Sequence, residues 1–327
     1  MRGGDVTVLG RILPIIFALL GASVAQAQNY PDRPIRLIAP FPAGGLADVL
    51  ARAVGDEMSK TLGQPVIVEN RVGAGGNTGA DAVAKAAPDG TTLLMASAGI
   101  LTANPFLYAQ MPFNVETAFI PVANVADMSM LVVVNPKVAA KSLKEFVALA
   151  KEQPGKFNFG SPGIGTTGHL GLAMLMVAAD IKITHVPYRG AAPAITDLLA
   201  GQIDGVVDNP PTVIAHIQSG MLRPLAVAAK QRMALFPDIP TAAEQGLANY
   251  EASSWFGVAA PAGTPPAIVA KLNQSIAAAV RTPAMQERFG KSGARLLGDS
   301  PQEFDARIRA ERAMWGQIIK AANIAPQ

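Results

Sequence analysis

Most of the residues whose types and spacing could do chemistry lie in glycine-rich turns. The first turn is Pro40-Phe41-Pro42-Ala43-Gly44-Gly45-Leu46-Ala47-Asp48. The apolar run Ile35–Ala39 precedes it, and Leu46, Leu50, Val54 and Met58 follow at helical spacing until Gly63 stops the pattern. It therefore reads as a strand-to-helix turn. The first N–H groups of a helix have no internal acceptor and carry the positive end of its dipole. Paired glycines leave those groups uncovered, which suits an anion. The chemistry expected of Phe41, Ala43, Gly44 and Gly45 is capture of a small carboxylate. Read alone, Gly44-Gly45 serves equally well as a plain left-handed turn. Asp48 falls in the first helical turn, where a carboxylate favours the dipole whether or not it meets a ligand.

The second turn, Ser161 to Thr167, contains Gly163-Ile164-Gly165-Thr166-Thr167-Gly168, a match to the dinucleotide fingerprint G-x-G-x-x-G. The next strand ends in Tyr188-Arg189-Gly190, with no acid to hold a ribose hydroxyl, so a dinucleotide is not expected. Anion capture fits better, because Ser161, Thr166 and Thr167 add hydroxyls to N–H groups at a helix start. A serine hydrolase built on Ser161 and His169 is the competing reading, although the G-x-S-x-G elbow is incomplete. Asp208 follows the strand Ile203–Val207 and precedes Asn209-Pro210, placing it at a cleft rim where it could accept from an ammonium group or a water. Tyr188 ends another strand and is similarly placed. His185 is expected in a buried strand, and Trp255 in hinge or core packing. With His169, His185 and His216 as the histidines, no cysteine and no H-x-x-x-H spacing, no metal site is expected.

These turns need strands and helices to hold them. Strand Ile35–Ala39, a helix to about Thr61, the buried strand Pro65–Glu69, a loop through Gly73-Ala74-Gly75-Gly76-Asn77, a helix, and strand Thr91–Ala96 leading to Ser97 follow in turn. This β-α-β-α-β order implies a parallel sheet with ligands beyond the C-terminal strand ends. A second series starts near Ser129, with strand Met130–Val134 and a capping box at Ser142-Leu143-Lys144-Glu145. It continues through strands Phe157–Phe159, Ile183–Pro187, Ile203–Val207 and Leu225–Ala229, separated by helices. Ser254–Ala259 then leads to two C-terminal helices. The expected architecture is α/β with two lobes, joined by Met130–Val134 and Ser254–Ala259 as crossing strands.

Composition narrows the class further. Arg2 and Arg11 precede the short apolar run Ile12 to Leu20, and Ala25-Gln26-Ala27 supplies an A-x-A site. A secretory signal cleaved after Ala27 is expected, leaving 300 of the 327 residues. Its loss removes Arg2, Arg11 and Asp5 and lowers the net charge from +3 to +2. That balance, without a Lys/Arg cluster, argues against a nucleic-acid partner. Half of the residues are apolar and none is cysteine, so a large core without disulfides is expected.

Several segments together resemble one family. They are Tyr30-Pro31-Asp32-Arg33-Pro34-Ile35-Arg36-Leu37, the Pro40–Gly45 turn with Asp48, Gly63-Gln64-Pro65-Val66 and Val68-Glu69-Asn70-Arg71. Gly73–Asn77, Ala87-Pro88-Asp89-Gly90, His185-Val186-Pro187-Tyr188-Arg189-Gly190 and Ala260-Pro261-Ala262-Gly263-Thr264-Pro265 continue the likeness. The chain resembles the Bug-type solute receptors of tripartite tricarboxylate transporters. The resemblance implies a type II periplasmic binding protein, each lobe a mixed, mostly parallel sheet flanked by helices, with a two-strand hinge. It divides the chain into a leader (1–27), one lobe from 28–128 plus 254–327, and a second from 129–253. It further implies a monomeric, non-enzymatic periplasmic receptor for a carboxylated metabolite, with no cofactor and with transporter subunits as partners. Residue by residue, Phe41, Ala43, Gly44, Gly45, Asp48 and Ser97 would meet the ligand from the first lobe. Ser161, Gly163, Thr166, Thr167, Tyr188 and Asp208 would meet it from the second.

Overall fold

The computed structural model describes residues 30–290, 293–321 and 326, so the expected leader lies outside the described residues. The chain begins with β1 (Ile35–Ala39), in which Ile35, Leu37, Ile38 and Ala39 are fully buried. α1 (Leu46–Leu62) buries Leu50, Val54 and Met58 on one face and ends where Gly63 turns left-handed at φ 71° and donates to Ser59 O. β2 (Val66–Asn70), α2 (Asn77–Ala84) and β3 (Thr92–Ser97) complete the first βαβαβ unit. β2 pairs with β1 alone and forms the sheet edge, so Ile67 is half exposed and the expected buried strand is instead an edge strand.

β3 runs into a π-helical turn, Gly99–Ala103, and a short helical turn, Asn104–Leu107. The next element, β4 (Phe119–Ser129), lies in a stretch where no strand was expected. It is followed at once by β5 (Leu131–Val134). α3 (Leu143–Glu152) opens with the expected capping box: Ser142 Oγ accepts from Glu145 N–H, while the Glu145 carboxylate accepts from Lys141 N–H. β6 (Asn158–Ser161), α4 (Thr167–Ala179), β7 (Thr184–Pro187), α5 (Ala191–Ala200), β8 (Gly205–Asp208), α6 (Pro210–Gln218) and β9 (Arg223–Val227) follow. β10 (Ser253–Pro261), α7 (Pro266–Val280), β11 (Ala294–Leu296) and α8 (Pro301–Ala321) end the chain.

The strands form two mixed sheets. One has the order β11-β4-β10-β3-β1-β2, with β1 parallel to β2 and β3 and the β10 and β4 pairings antiparallel. The other has the order β7-β6-β8-β5-β9, parallel across β7-β6-β8 and antiparallel across β8-β5-β9. Each sheet has helices on its faces and its own buried clusters, so the molecule has two lobes.

The passage between sheets is narrower than two crossing strands. β5 belongs wholly to the second sheet and β10 wholly to the first, where Ser253 pairs with Ser129. The chain crosses at Met130 and returns at Ala252. Met130 N–H donates to Ala252 O at 3.0 Å, Ala228 N–H to Met130 O at 2.9 Å, and Ala252 N–H to Ala228 O at 3.0 Å. Trp255 lies shortly past the return, fully buried in the first lobe, edge-on to Phe304 and donating to Glu311.

Candidate functional site

A cavity of about 930 Å³ lies between the lobes, beyond the C-terminal ends of β1, β3, β6 and β8. Of the residues singled out in the sequence, Phe41, Ala43, Gly44, Gly45, Ser97, Thr166, Thr167 and Asp208 line it. Asp48, Ser161, Gly163 and Tyr188 do not, and each has a local reason.

Asp48 turns back into its own loop. Its carboxylate accepts from Gly44 N–H at 2.9 Å and from Asn70 Nδ2 at 2.9 Å, and pairs with Arg52 at 2.8 Å. Burial works to raise this carboxyl, but the bonds from Arg52, Gly44 and Asn70 outweigh it and hold it below the usual carboxylate range. Gly44 N–H is therefore spent on Asp48, and Gly45 N–H is spent on Pro42 O at 3.2 Å. The expectation that these two amides face an anion is corrected by one step along the chain. Leu46 and Ala47 open α1 with no side chain capping them, and both line the cavity.

The same arrangement recurs across the cleft. α4 starts after Thr166 and α5 after Gly190, both without a side-chain cap. Thr167, Ala191 and Ala192, at these two starts, line the cavity. Gly163, by contrast, stays within its own loop: its carbonyl accepts from Thr166 Oγ1 at 2.6 Å, which leaves the Thr166 lone pairs for other donors. Three uncapped helix N-termini, one from the first lobe and two from the second, thus converge on one space. The fourth helix at the wall, α6, begins Pro210-Pro211 and supplies no N–H there.

Ser161 is 1% exposed and is held behind the wall, with Oγ 2.6 Å from His185 Nε2 and 3.2 Å from Gly163 O. The Ser161–His169 pairing that the competing hydrolase reading requires is not made. His169 instead stacks on His185 with ring centroids 4.3 Å apart and accepts from Gly165 N–H through Nδ1. Burial pushes His185 down to about 4, and burial with the neighbouring His185 pushes His169 to about 3, so both are neutral at pH 7. A base that weak is poorly matched to general-base work near neutrality. His185 is also on the edge strand of its sheet and half-buried rather than core. Tyr188 leans on α5, its hydroxyl 2.7 Å from Asp197 Oδ2; burial and that carboxylate push it up to about 12.

Several wall residues carry no role expected from the sequence. Arg189 and Gly190 follow Tyr188 at the end of β7, and Arg189 is one of the cations on the wall. Arg288 is another, its guanidinium 5.5 Å over the Phe289 ring. Phe256, Asn209, Thr212 and His216 line the cavity as well. Only the Arg189-Gly190 turn carried a signal in sequence, as a strand end before a helix; Arg288 comes from a distant C-terminal segment that β11 folds back onto β4.

Lobe-to-lobe contacts surround the cavity. Tyr108 Oη, from the first lobe, donates to Ile164 O at 3.2 Å, and Ser254 Oγ is hydrogen-bonded to Asn209 Oδ1. Leu170 of α4 packs with Ala103, Leu107, Trp315 and Ile319 of the first lobe.

Residues 50–324 match the family described as tripartite tricarboxylate transporter family receptor. Protein BugT of Bordetella pertussis is 38% identical over 318 residues, covering 97% of this chain and 98% of that one. The structure of Rpa4515 from R. palustris with adipate superposes at a TM-score of 0.85 with 35% identity, covering 91% of this chain and 100% of that one. MatC from Rhodopseudomonas palustris with bound malate does so at 0.83 with 32% identity, covering 89% and 100%. With the two-lobed fold and the cleft in place, these likenesses show that the chain belongs to the tripartite tricarboxylate transporter receptor family.

Proposed function

We propose that this protein is an exported, monomeric receptor that captures a small carboxylate between its lobes and presents it to tripartite tricarboxylate-type membrane subunits or to a sensor. The observation that carries this reading is the convergence of three uncapped helix N-termini from both lobes on one cavity. Each offers N–H groups without an internal partner, and the dipoles add to Arg189 and Arg288 in favouring negative charge. Adipate in Rpa4515 and malate in MatC are carboxylates held by chains of this family. Phe41, Ala43, Gly44 and Gly45 shape the turn, while Ser97, Thr166, Thr167 and Asp208 supply side-chain contacts. The first lobe moves as one body and the second as the other, pivoting where the chain passes Met130 and Ala252. Contacts available only in the closed state make binding and closure the same equilibrium. The receptor performs no catalysis: Ser161 is walled off and its histidine partner is a weak base. Export through a leader cleaved after Ala27 places it in the periplasm.

Thermal melts against adipate, malate, citrate, glutamate and benzoate test the reading. A binder at a hundred times its dissociation constant adds about 2.7 kcal/mol of stability. Across a domain-sized transition this is a rise of several degrees. The reading is overturned if no acid in the panel shifts the midpoint.

A further inference from the structure

Asp208 is an acid inside a cavity built for anions. It closes β8 with 4% of its surface exposed and lines the cavity. Oδ1 accepts from Asn209 N–H at 2.8 Å, and the Thr212 hydroxyl stands against the carboxyl, but no charged group among the described residues offsets it. The neighbours on each side bear this out. From β5 it meets Leu131, opposite it in the sheet. From α4, packed behind β8, comes His169, which burial keeps neutral. α6 brings Thr212 and His216 to the wall; Arg189 comes from the turn before α5, and Arg288 from the first lobe beyond Phe256. None of these forms an ion pair with Asp208 among the described residues, and burial pushes its carboxyl up to about 6.

The floor of the cavity offers Asp208 two neutral partners, Asn209 N–H and the Thr212 hydroxyl, and no ion pair among the described residues. α6 starts there with two prolines, so its first two helical positions have no N–H to offer a ligand, and the N–H of its cap residue Asn209 is taken by Asp208. A carboxylate drawn in by α1, α4 and α5 puts further negative charge into the same closed space and disfavours the ionised Asp208 still more. We propose that Asp208 is protonated in the loaded receptor and donates a hydrogen bond to a carboxylate of the captured diacid, so that binding takes up one proton. The proton comes from solvent, binds one oxygen of Asp208, and is shared toward the ligand; no other bond forms or breaks. The assignment rests on the carboxylate reading and names the acid class as dicarboxylates taken up with a proton.

The sign follows from linkage. Binding raises the Asp208 value above that of the free receptor, so affinity is full below about pH 6 and falls by about tenfold per pH unit above it, until the bound-state value is reached. Calorimetry with malate on the full mature chain, between about pH 6.5 and pH 8.5, measures this in a range where malate is already fully ionised. The expected result is a dissociation constant that weakens about tenfold over the first unit. Paired buffers of different ionisation enthalpy should report close to one proton taken up. Asp208→Asn, whose amide keeps a donor at every pH, should flatten the profile. A flat wild-type profile with no proton uptake overturns the proposal, and so does a slope that survives in Asp208→Asn. A flat profile together with loss of malate binding in Asp208→Asn gives the carboxyl the opposite role, an ionised acceptor for a hydroxyl or ammonium group. Failure of malate, adipate and glutamate to bind at any pH overturns the carboxylate reading itself, and is thereby told apart from failure of the proton.

Discussion

Asp48 shows how a residue can be correctly located and wrongly aimed. Its position in the first turn of α1 is plain from the spacing, yet its carboxylate serves the loop, tying Gly44 N–H, Asn70 and Arg52 together. Gly44 and Arg52 are local to the turn, but the third partner, Asn70 at the end of β2, is brought there by the fold, and sequence does not show which strand will lie beside β1. Gly44 sits at φ +80° with open space where a Cβ would stand, so alanine there costs conformation alone, about 1 kcal/mol. Asp48→Ala should cost more. It leaves Gly44 N–H without its acceptor and removes one of the two acceptors of Asn70 Nδ2, worth about 1–3 kcal/mol in all. Because the folded carboxyl is held below its unfolded value, its contribution is present above that unfolded value, near pH 4, and is lost as pH falls through the folded one. Urea midpoints at about pH 7 and pH 3 should therefore show a larger penalty at the higher pH. Equal penalties would show that hydrophobic packing of the turn, and not the charge, holds it.

At the level of elements, the legible parts were those with a clean period. α1, β1, β3 and the capping box of α3 announce themselves through spacing or capping residues. β4 does not, for visible physical reasons. Within Phe119–Ser129, Pro121, Asn124 and Asp127 interrupt the apolar run, although the strand is central in its sheet. Pro121 falls where the register against β10 shifts, and Asp127 is offset by Arg295 at 2.6 Å and Arg307 at 3.0 Å, both from the C-terminal segment. Partners far along the chain make the acid at Asp127 tolerable, and no local pattern reports them. Helix starts, by contrast, were legible as glycine turns, and their chemistry can be tested one amide at a time. Leu46→Pro suits the first helical position, and Gly45 at φ −72°, ψ 164° already has the extended backbone that a following proline requires. The substitution removes one N–H aimed at the cavity. Loss of one hydrogen bond to a charged ligand should weaken binding by about 1.5–3 kcal/mol, roughly ten- to a hundredfold. Calorimetry with the best acid from the melts would measure it, with circular dichroism confirming the helix. Unchanged affinity would move the anion site away from α1.

On the scale of the whole molecule, the two lobes touch at places outside the cavity, and one contact leaves no room for even a methyl group. Gly99, at the start of the π-helical turn, faces Gly165 so closely that a Cβ on Gly99 would overlap Gly165 O. The two residues belong to different lobes, so the close approach depends on the lobes being together. Tyr108 donating to Ile164 O and Leu170 packing against Trp315 and Ile319 border the same seam. The pairing of these distant segments was illegible in sequence, since each glycine reads locally as part of its own loop. Gly99→Ala is therefore a selective probe of closure. The backbone at Gly99 is not among the left-handed glycines, so alanine fits its own helical turn and leaves each lobe's core as it is. The added methyl meets a backbone carbonyl, which cannot rotate aside as a side chain can, and must hold the lobes apart. Small-angle scattering with a saturating acid should show a smaller radius of gyration for the wild type than for Gly99→Ala. The free proteins should scatter alike, and the variant should bind more weakly, because the contacts completed by closure are lost. A variant that contracts as fully as the wild type would mean that this seam yields without cost, and that the contacts across the cavity alone set the closed geometry.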